Sequence, residues 1–256
     1  MAKKTAVNKQ YDEQQLASIW SMKFKEAMVH KAEEVKKWQT YMDAYKGEYF
    51  KNISKPDYKS DMVANHIFSI VETIRPIMLD NDPKFMSMPR QPEGLQFAND
   101  LQEALSYEWD RELMNEKMYR ELVHVLVYGT AVFHLKWEKR NKNVKAIAVS
   151  PFNIFPDPLA TSVEDARYIM YADYVDQNVL KDKYPNKAEK LSGSQINYGE
   201  LVNDNNRNTR IDDQILVVEA WCMDYETYEE KENGKVELKY PKGRVIKFCP
   251  ELGVVL

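Results

Sequence analysis

The stretch Tyr119-Arg120-Glu121-Leu122-Val123-His124-Val125-Leu126-Val127-Tyr128-Gly129-Thr130-Ala131-Val132-Phe133 packs a helix, its stop and the start of a strand into one short run. Leu122, Val125 and Leu126 recur at helical spacing. Gly129 stands where a helix end favours a residue free to take positive φ. Ala131 onward alternates as a strand, and its charged partner returns over Asn143 to Val149 around an Arg140-Asn141-Lys142-Asn143 turn. Ser150-Pro151-Phe152-Asn153-Ile154-Phe155-Pro156-Asp157-Pro158 comes next, and its three prolines fix the backbone into a stiff, extended turn. A helix that turns into a strand and then into a proline-held bend is a rigid corner, suited to building rather than to chemistry. The expected fold is α+β: long amphipathic helices in the N-terminal half, packed on mostly antiparallel strands and hairpins.

Upstream of the corner the pattern is helical. Leu16, Trp20, Phe24 and Met28 recur every four residues, and Val35, Trp38, Met42 and Tyr45 carry the face on to a stop at Gly47. Asn65 is placed as an N-cap ahead of Ile67, Val71, Ile74 and Met78, with Pro76 expected to kink or shorten that helix. Lys84 to Met88 alternates enough for a short strand. Phe97, Leu101 and Leu105 begin a third stripe, extended by Trp109 and Leu113, which slips register near Asn115 and predicts two helices or a bent one before Gly129.

Downstream, Arg167 to Asp173 reads as a strand, and Asp176 caps a short helix that ends before Pro185. Residues 186–213 turn polar and read as a loop. Ile215 to Trp221 and Lys235 to Tyr240 read as strands, the second after a Glu232-Asn233-Gly234-Lys235 turn. Gly243 to Phe248 and Gly253 to Leu256 read as two more strands of the same sheet. Four segments follow: a helical arm over 1–60, a helical and hairpin core over 61–185, a flexible loop over 186–213, and an antiparallel strand segment over 214–256. The chain stops inside the apolar run Gly253-Val254-Val255-Leu256, which suggests the front piece of something longer.

Bulk properties exclude several classes. The formal charge of −4 gives no global basic field for nucleic acid; residues 1–60 are the basic part, with 12 lysines against 8 carboxylates. Cys222 and Cys249 are too few for a disulfide framework or a zinc site and point to a reducing compartment. No apolar run approaches the roughly 18 residues a membrane helix needs. The histidines (His30, His66, His124, His134) show no metal-ligand spacing, and no Gly-x-Gly-x-x-Gly, Gly-x-x-x-x-Gly-Lys or Gly-x-Ser-x-Gly occurs. The aromatics interleaved with basic residues, as in Lys36-Lys37-Trp38 and Phe133 to Arg140, fall on apolar faces and read as core. No catalytic, cofactor-binding or metal-ligating residue is expected, and the residues singled out are the structural corner: Asn65, Gly129, Pro151, Pro156, Asp157 and Pro158.

In order along the chain, several of these pieces resemble the portal (head–tail connector) proteins of tailed bacteriophages, of the short-tailed phage type. The resemblance rests on Asn65 to Thr73, on Asp82-Pro83-Lys84-Phe85-Met86-Ser87-Met88-Pro89, on Leu126 to Val132 with its Gly129-Thr130-Ala131 turn, on Pro151 to Pro158, and on Asp165-Ala166-Arg167-Tyr168. It spans roughly residues 60–256 and corresponds to the wing-bearing portion; the channel helices and the clip of such proteins lie beyond it. The resemblance implies a structural subunit of a ring, usually dodecameric, at the capsid vertex. Through that ring duplex DNA passes non-specifically during packaging and ejection. Its implied partners are capsid and scaffolding proteins, the large terminase subunit and tail or adaptor proteins. Its implied location is the virion, after assembly in the host cytoplasm, with no cofactor, no membrane and no catalysis.

Two readings of other classes stand beside it. Asp80, Asp82 and Asp157 could bind Mg²⁺ as the centre of a metal-dependent nuclease or phosphatase, although all three sit beside turn prolines where such side chains bond their own backbone. The Leu16-to-Tyr45 stripe could instead serve a helical adaptor protein.

Overall fold

The computed structural model describes residues 11–49, 64–80, 85–139, 141–191, 214–224, 228–230 and 236–256. The chain divides into two units, one of Met1–Val35 with Phe152–Leu256 and one of Lys36–Pro151. The division regroups the four sequence segments. The expected 61–185 core is cut at Pro151, and the first part of the N-terminal helix joins the strands.

The first unit is built on a five-stranded antiparallel sheet. Its strands are β3 (Ile154–Pro156), β4 (Tyr168–Asp176), β5 (Gln214–Cys222), β8 (Arg244–Cys249) and β9 (Val254–Val255), hydrogen-bonded in the order β3-β4-β5-β8-β9. Helix α1 (Glu13–Lys46) covers one face with Trp20, Phe24, Ala27 and Met28, which close a core with Met170, Ala172, Leu216, Val218, Ala220 and Phe248. Edge-on ring contacts tie helix to sheet: Trp20 to Tyr168 at 5.6 Å and Phe24 to Phe155 at 4.9 Å. The other face is covered at one end by Leu180 of α5 (Gln177–Lys183) and by Leu191, against Ile215, Val217 and Cys249. This two-sided burial explains the uninterrupted apolar run of β5. Glu219, buried in that strand, meets Lys247 directly across the β5–β8 pair at 2.6 Å. Asp176 caps α5 through the amides of Asn178 and Val179.

The second unit holds α2 (His66–Leu79), α3 (Leu95–Arg111), α4 (Met114–Tyr128) and the hairpin β1 (Val132–Glu138) with β2 (Asn143–Val149). The third stripe does break into two helices, at Glu112 and Leu113, where Leu113 takes φ +50°. Polar latches hold this unit. The Glu112 carboxylate accepts from Lys117 Nζ at 2.8 Å and from the Ala146 amide at 3.1 Å, while Lys117 also donates to the Ala146 carbonyl at 2.8 Å. Lys117 beside it holds the Glu112 carboxyl below the usual carboxylate range. A second latch joins the end of α1 to α2 and α4: Tyr45 donates to Glu72 at 2.6 Å, and Arg75 bridges Glu72 and the Tyr119 carbonyl while its guanidinium lies 4.1 Å from the Tyr119 ring.

Several expectations change. Residues 85–89 form no strand: Phe85 rests edge-on against Trp109 at 5.3 Å and no neighbouring strand pairs with the segment; Lys84 lies outside the described residues. Helix α2 runs through Pro76 to Leu79. Strand β7 (Val236–Leu238) pairs only with β6 (Tyr228–Glu230) in a separate two-stranded ribbon, so it is not a member of the main sheet; the turn at 232–235 lies outside the described residues. The segment expected as a loop from 186 begins with a 3-10 turn, Pro185–Lys190, because Leu191 is drawn fully into the second core cluster. Residues 192–213 lie outside the described residues. No helix among the described residues is long and apolar enough to cross a membrane.

Candidate functional site

Each corner residue has a definite local role. The Asn65 Oδ1 accepts from the Phe68 amide at 3.0 Å, and its Nδ2 donates to the Tyr45 carbonyl at 2.7 Å, so it caps α2 and ties it to the end of α1. Gly47 turns beside it at φ +79°, and a Cβ there would stand 3.0 Å from Asn65 Nδ2. Gly129 also takes φ +79°, its amide donating to Val125, but a Cβ there would meet nothing within 4 Å. Its constraint is the dihedral angle alone. Pro151 is fully buried, Pro156 lies opposite Ile169 in β3, and Pro158 continues into the turn.

Asp157 is the anchor of that turn. Its buried carboxylate receives Arg167 Nε at 2.6 Å and Nη2 at 3.2 Å, together with the Leu159 amide at 3.1 Å. The guanidinium beside it holds the carboxyl below the usual carboxylate range. A carboxylate engaged in this way is committed to its turn, which removes the keystone of the hydrolase reading. Asp80 closes α2 at the surface of the other unit, and Asp82 lies outside the described residues. Among the described residues, no three of His, Cys, Asp and Glu come together as ion ligands. His124 pairs with Glu121 at 2.9 Å and stacks on Tyr128. Both thiols are buried, and burial pushes Cys249 up to about 12.

A residue absent from the sequence reading clamps the corner. Lys31 of α1 is buried, and its Nζ donates to the carbonyls of Phe152 at 2.8 Å and Ile154 at 2.6 Å, 4.2 Å from the Phe155 ring. Burial draws its pKa down to about 7. The signal for it was present: the buried stripe Ala17, Trp20, Phe24, Met28, Val35 passes through position 31, so a lysine occupies a core phase.

The surface with most to offer a partner is in Lys36–Pro151. Helix α3 has 17 residues and buries one of them, Ala98. Its Phe97 is 72% exposed, and Leu101 and Leu105 follow it outward at four-residue spacing. On α2, Ile67, Ile70, Ile74 and Ile77 form an exposed stripe, while Val71 and Arg75 face inward. The hairpin adds Leu135 and Trp137. Ile67, Ile74, Met78, Phe97, Leu101 and Leu105 keep the helical spacing expected of them, and their side chains face solvent within this chain. Apolar stripes left in water in this way are what an interaction surface is built from.

The model of the family described as phage P22-like portal protein matches the chain over residues 22–246. No curated protein sequence matches the chain.

Proposed function

The chain belongs to the phage P22-like portal protein family, and from that membership we propose that it serves as a structural subunit of the portal ring at one capsid vertex. In this reading copies of the chain close a ring, dodecameric by family resemblance, through whose axis duplex DNA is packaged and ejected. Capsid and scaffolding proteins, the large terminase subunit and tail or adaptor proteins dock on it, and the chain itself catalyses nothing. It works in the virion, after assembly in the host cytoplasm. Asn65, Gly129, Pro151, Pro156, Asp157 and Pro158 then serve to hold the helix ends and turns of their own units rigid.

The observation that carries the reading is the apolar outside of Lys36–Pro151. A 17-residue helix that buries a single side chain gains little from its own subunit. Copies of the same chain, meeting through α2 and α3, would remove Phe97, Leu101 and the isoleucine stripe from water at roughly 25 cal/mol per Å². Electron microscopy of the purified protein, with scaffolding protein present, tests this. Closed rings are the expected result; monomers across the accessible concentration range would overturn it.

A further inference from the structure

We infer that the outer edge of β1 is a docking site for an extended acidic segment of a partner protein, which adds to the hairpin as a third strand. β1 and β2 pair in unbroken register, from Val132 opposite Val149 to Glu138 opposite Asn143, and form a sheet of their own. The far side of β2 is closed by side chains of α3, α4 and the turn between them. The Ala146 amide donates to Glu112 at 3.1 Å, its carbonyl accepts from Lys117 at 2.8 Å, and the Val144 carbonyl accepts from Arg111 at 2.8 Å. In an antiparallel pair, a residue whose amide and carbonyl point outward lies opposite another that does the same. Ala146 lies opposite Leu135 and Val144 opposite Trp137, so the amides and carbonyls of Phe133, Leu135 and Trp137 make up the outer edge of β1. Among the described residues nothing bonds to them.

The two faces of the hairpin select the occupant. Leu135 and Trp137 are 60% and 61% exposed, on the face they share with Val144. The opposite face sets Lys136 directly across from Lys145, and Lys145 is exposed, with no partner among the described residues. In sequence the hairpin carries Lys136, Lys139, Arg140, Lys142 and Lys145 against Glu138 alone. Like charges directly opposed on a sheet cost stability, and a carboxylate brought alongside offsets that cost. A strand whose side chains alternate between apolar and acidic lays the first kind beside Leu135 and Trp137 and the second beside the lysines. Lysines on an edge repel a strand of like charge, which disfavours a second copy of this hairpin. A nucleic acid has no alternating amides and carbonyls, so a polypeptide backbone is what completes the edge.

This inference does not rest on the ring reading: it concerns the hairpin rather than α2 and α3, and it fails by peptide binding where that reading fails by mass. The probe is the peptide N-acetyl-Glu-Val-Glu-Val-Glu-amide, added to the purified full chain. It is set against N-acetyl-Gln-Val-Gln-Val-Gln-amide, the acidic peptide methylated on both valine nitrogens, and a single-stranded oligonucleotide. Those nitrogens face the edge when the valines lie opposite Leu135 and Trp137. Binding is read from amide hydrogen exchange. The acidic peptide is expected to slow Leu135 and Trp137 about tenfold or more and to leave His134 and Lys136, already bonded to β2, little changed. The uncharged analogue should bind about tenfold more weakly, and the methylated peptide should give no protection. Lys136→Gln/Lys145→Gln should lose a similar factor for the acidic peptide, with slow exchange at His134 showing that its hairpin is intact. No slowing at Leu135 and Trp137, equal protection by the uncharged or methylated peptide, or full binding by the double variant would each overturn the inference. So would tighter binding of the oligonucleotide, or protection of these amides in the protein alone that grows with its concentration, the mark of a second copy on the edge.

Discussion

In the unit built on the five-stranded sheet, Phe24, Phe155, Met170, Leu216, Val218 and Phe248 are shut away from water; in Lys36–Pro151, Ile70, Ile77, Phe97, Leu101, Leu135 and Trp137 stand in it. The first unit is held by an apolar core between α1 and the sheet. The second buries Val71, Leu122, Tyr128, Ala146 and Val149 and is tied by the Glu112–Lys117 and Tyr45–Glu72–Arg75–Tyr119 latches, while the apolar stripes of α2 and α3 stay outside. Charged latches fix relative position without using up apolar surface, which leaves that surface for a neighbour. One unit is finished alone; the other is shaped for completion.

The sharpest way to break this contrast is by truncating one phenylalanine in each unit. Phe248→Ala, at a site with no exposure, should cost about 3–5 kcal/mol in chemical unfolding. Phe97→Ala should leave the isolated subunit's stability within about 0.5 kcal/mol. Equal costs would mean that the exposed stripe is packed after all.

A pH series separates the clamp at the corner from its surroundings. Lys31 has a folded pKa of about 7 against an ordinary 10.5, so the unfolded chain holds more protons between those values. Stability should therefore rise as pH climbs from about 7 towards 10.5, by on the order of a few kcal/mol, with the whole penalty present below 7. Glu251, pushed up to about 7 by burial from 4.5, acts in a lower window, where stability should fall as pH rises through it. Thermal melts of Lys31→Met and Glu251→Gln should flatten the upper and the lower window respectively; an unchanged profile in either variant would show that its group is not the cause.

Smaller effects are expected at the two positions that shape the ends of α2 and α4. Gly129→Ala should cost about 1–2 kcal/mol through positive φ alone, because no neighbour opposes the new methyl, and Gly129→Asn should cost less. Asn65→Ala should cost about 1 kcal/mol by removing the cap on Phe68, with loss of the Tyr45 tie as a further small term.

How much of this was legible in the sequence depended on whether a pattern names its own partner. The helix α1, the break before α4, the hairpin β1–β2 and the capped α5 could be read because period, glycine and cap are local signals. Stripe spacing on α2 and α3 was equally clear, yet it states which residues avoid water and not what will cover them; Phe97, Leu101 and Ile74 stand in water within their own chain. β7 was placed in the main sheet because alternation marks a strand without marking its neighbour. Lys31 was passed over because a lysine in a helix reads as surface, although its phase on the stripe was that of a core residue. Asp157 was legible as a turn residue, while its pairing with Arg167, ten positions on, needed the β3–β4 register.

The central claim is that the stripe on α3 is a contact between copies of this chain. Mass measured by analytical ultracentrifugation for the wild-type protein and for Leu101→Glu/Leu105→Glu, with the sheet's circular dichroism as a control, tests it most directly. The account predicts that the wild type forms closed oligomers and that the variant is monomeric with its sheet intact; a variant that assembles to the same mass as the wild type would contradict it.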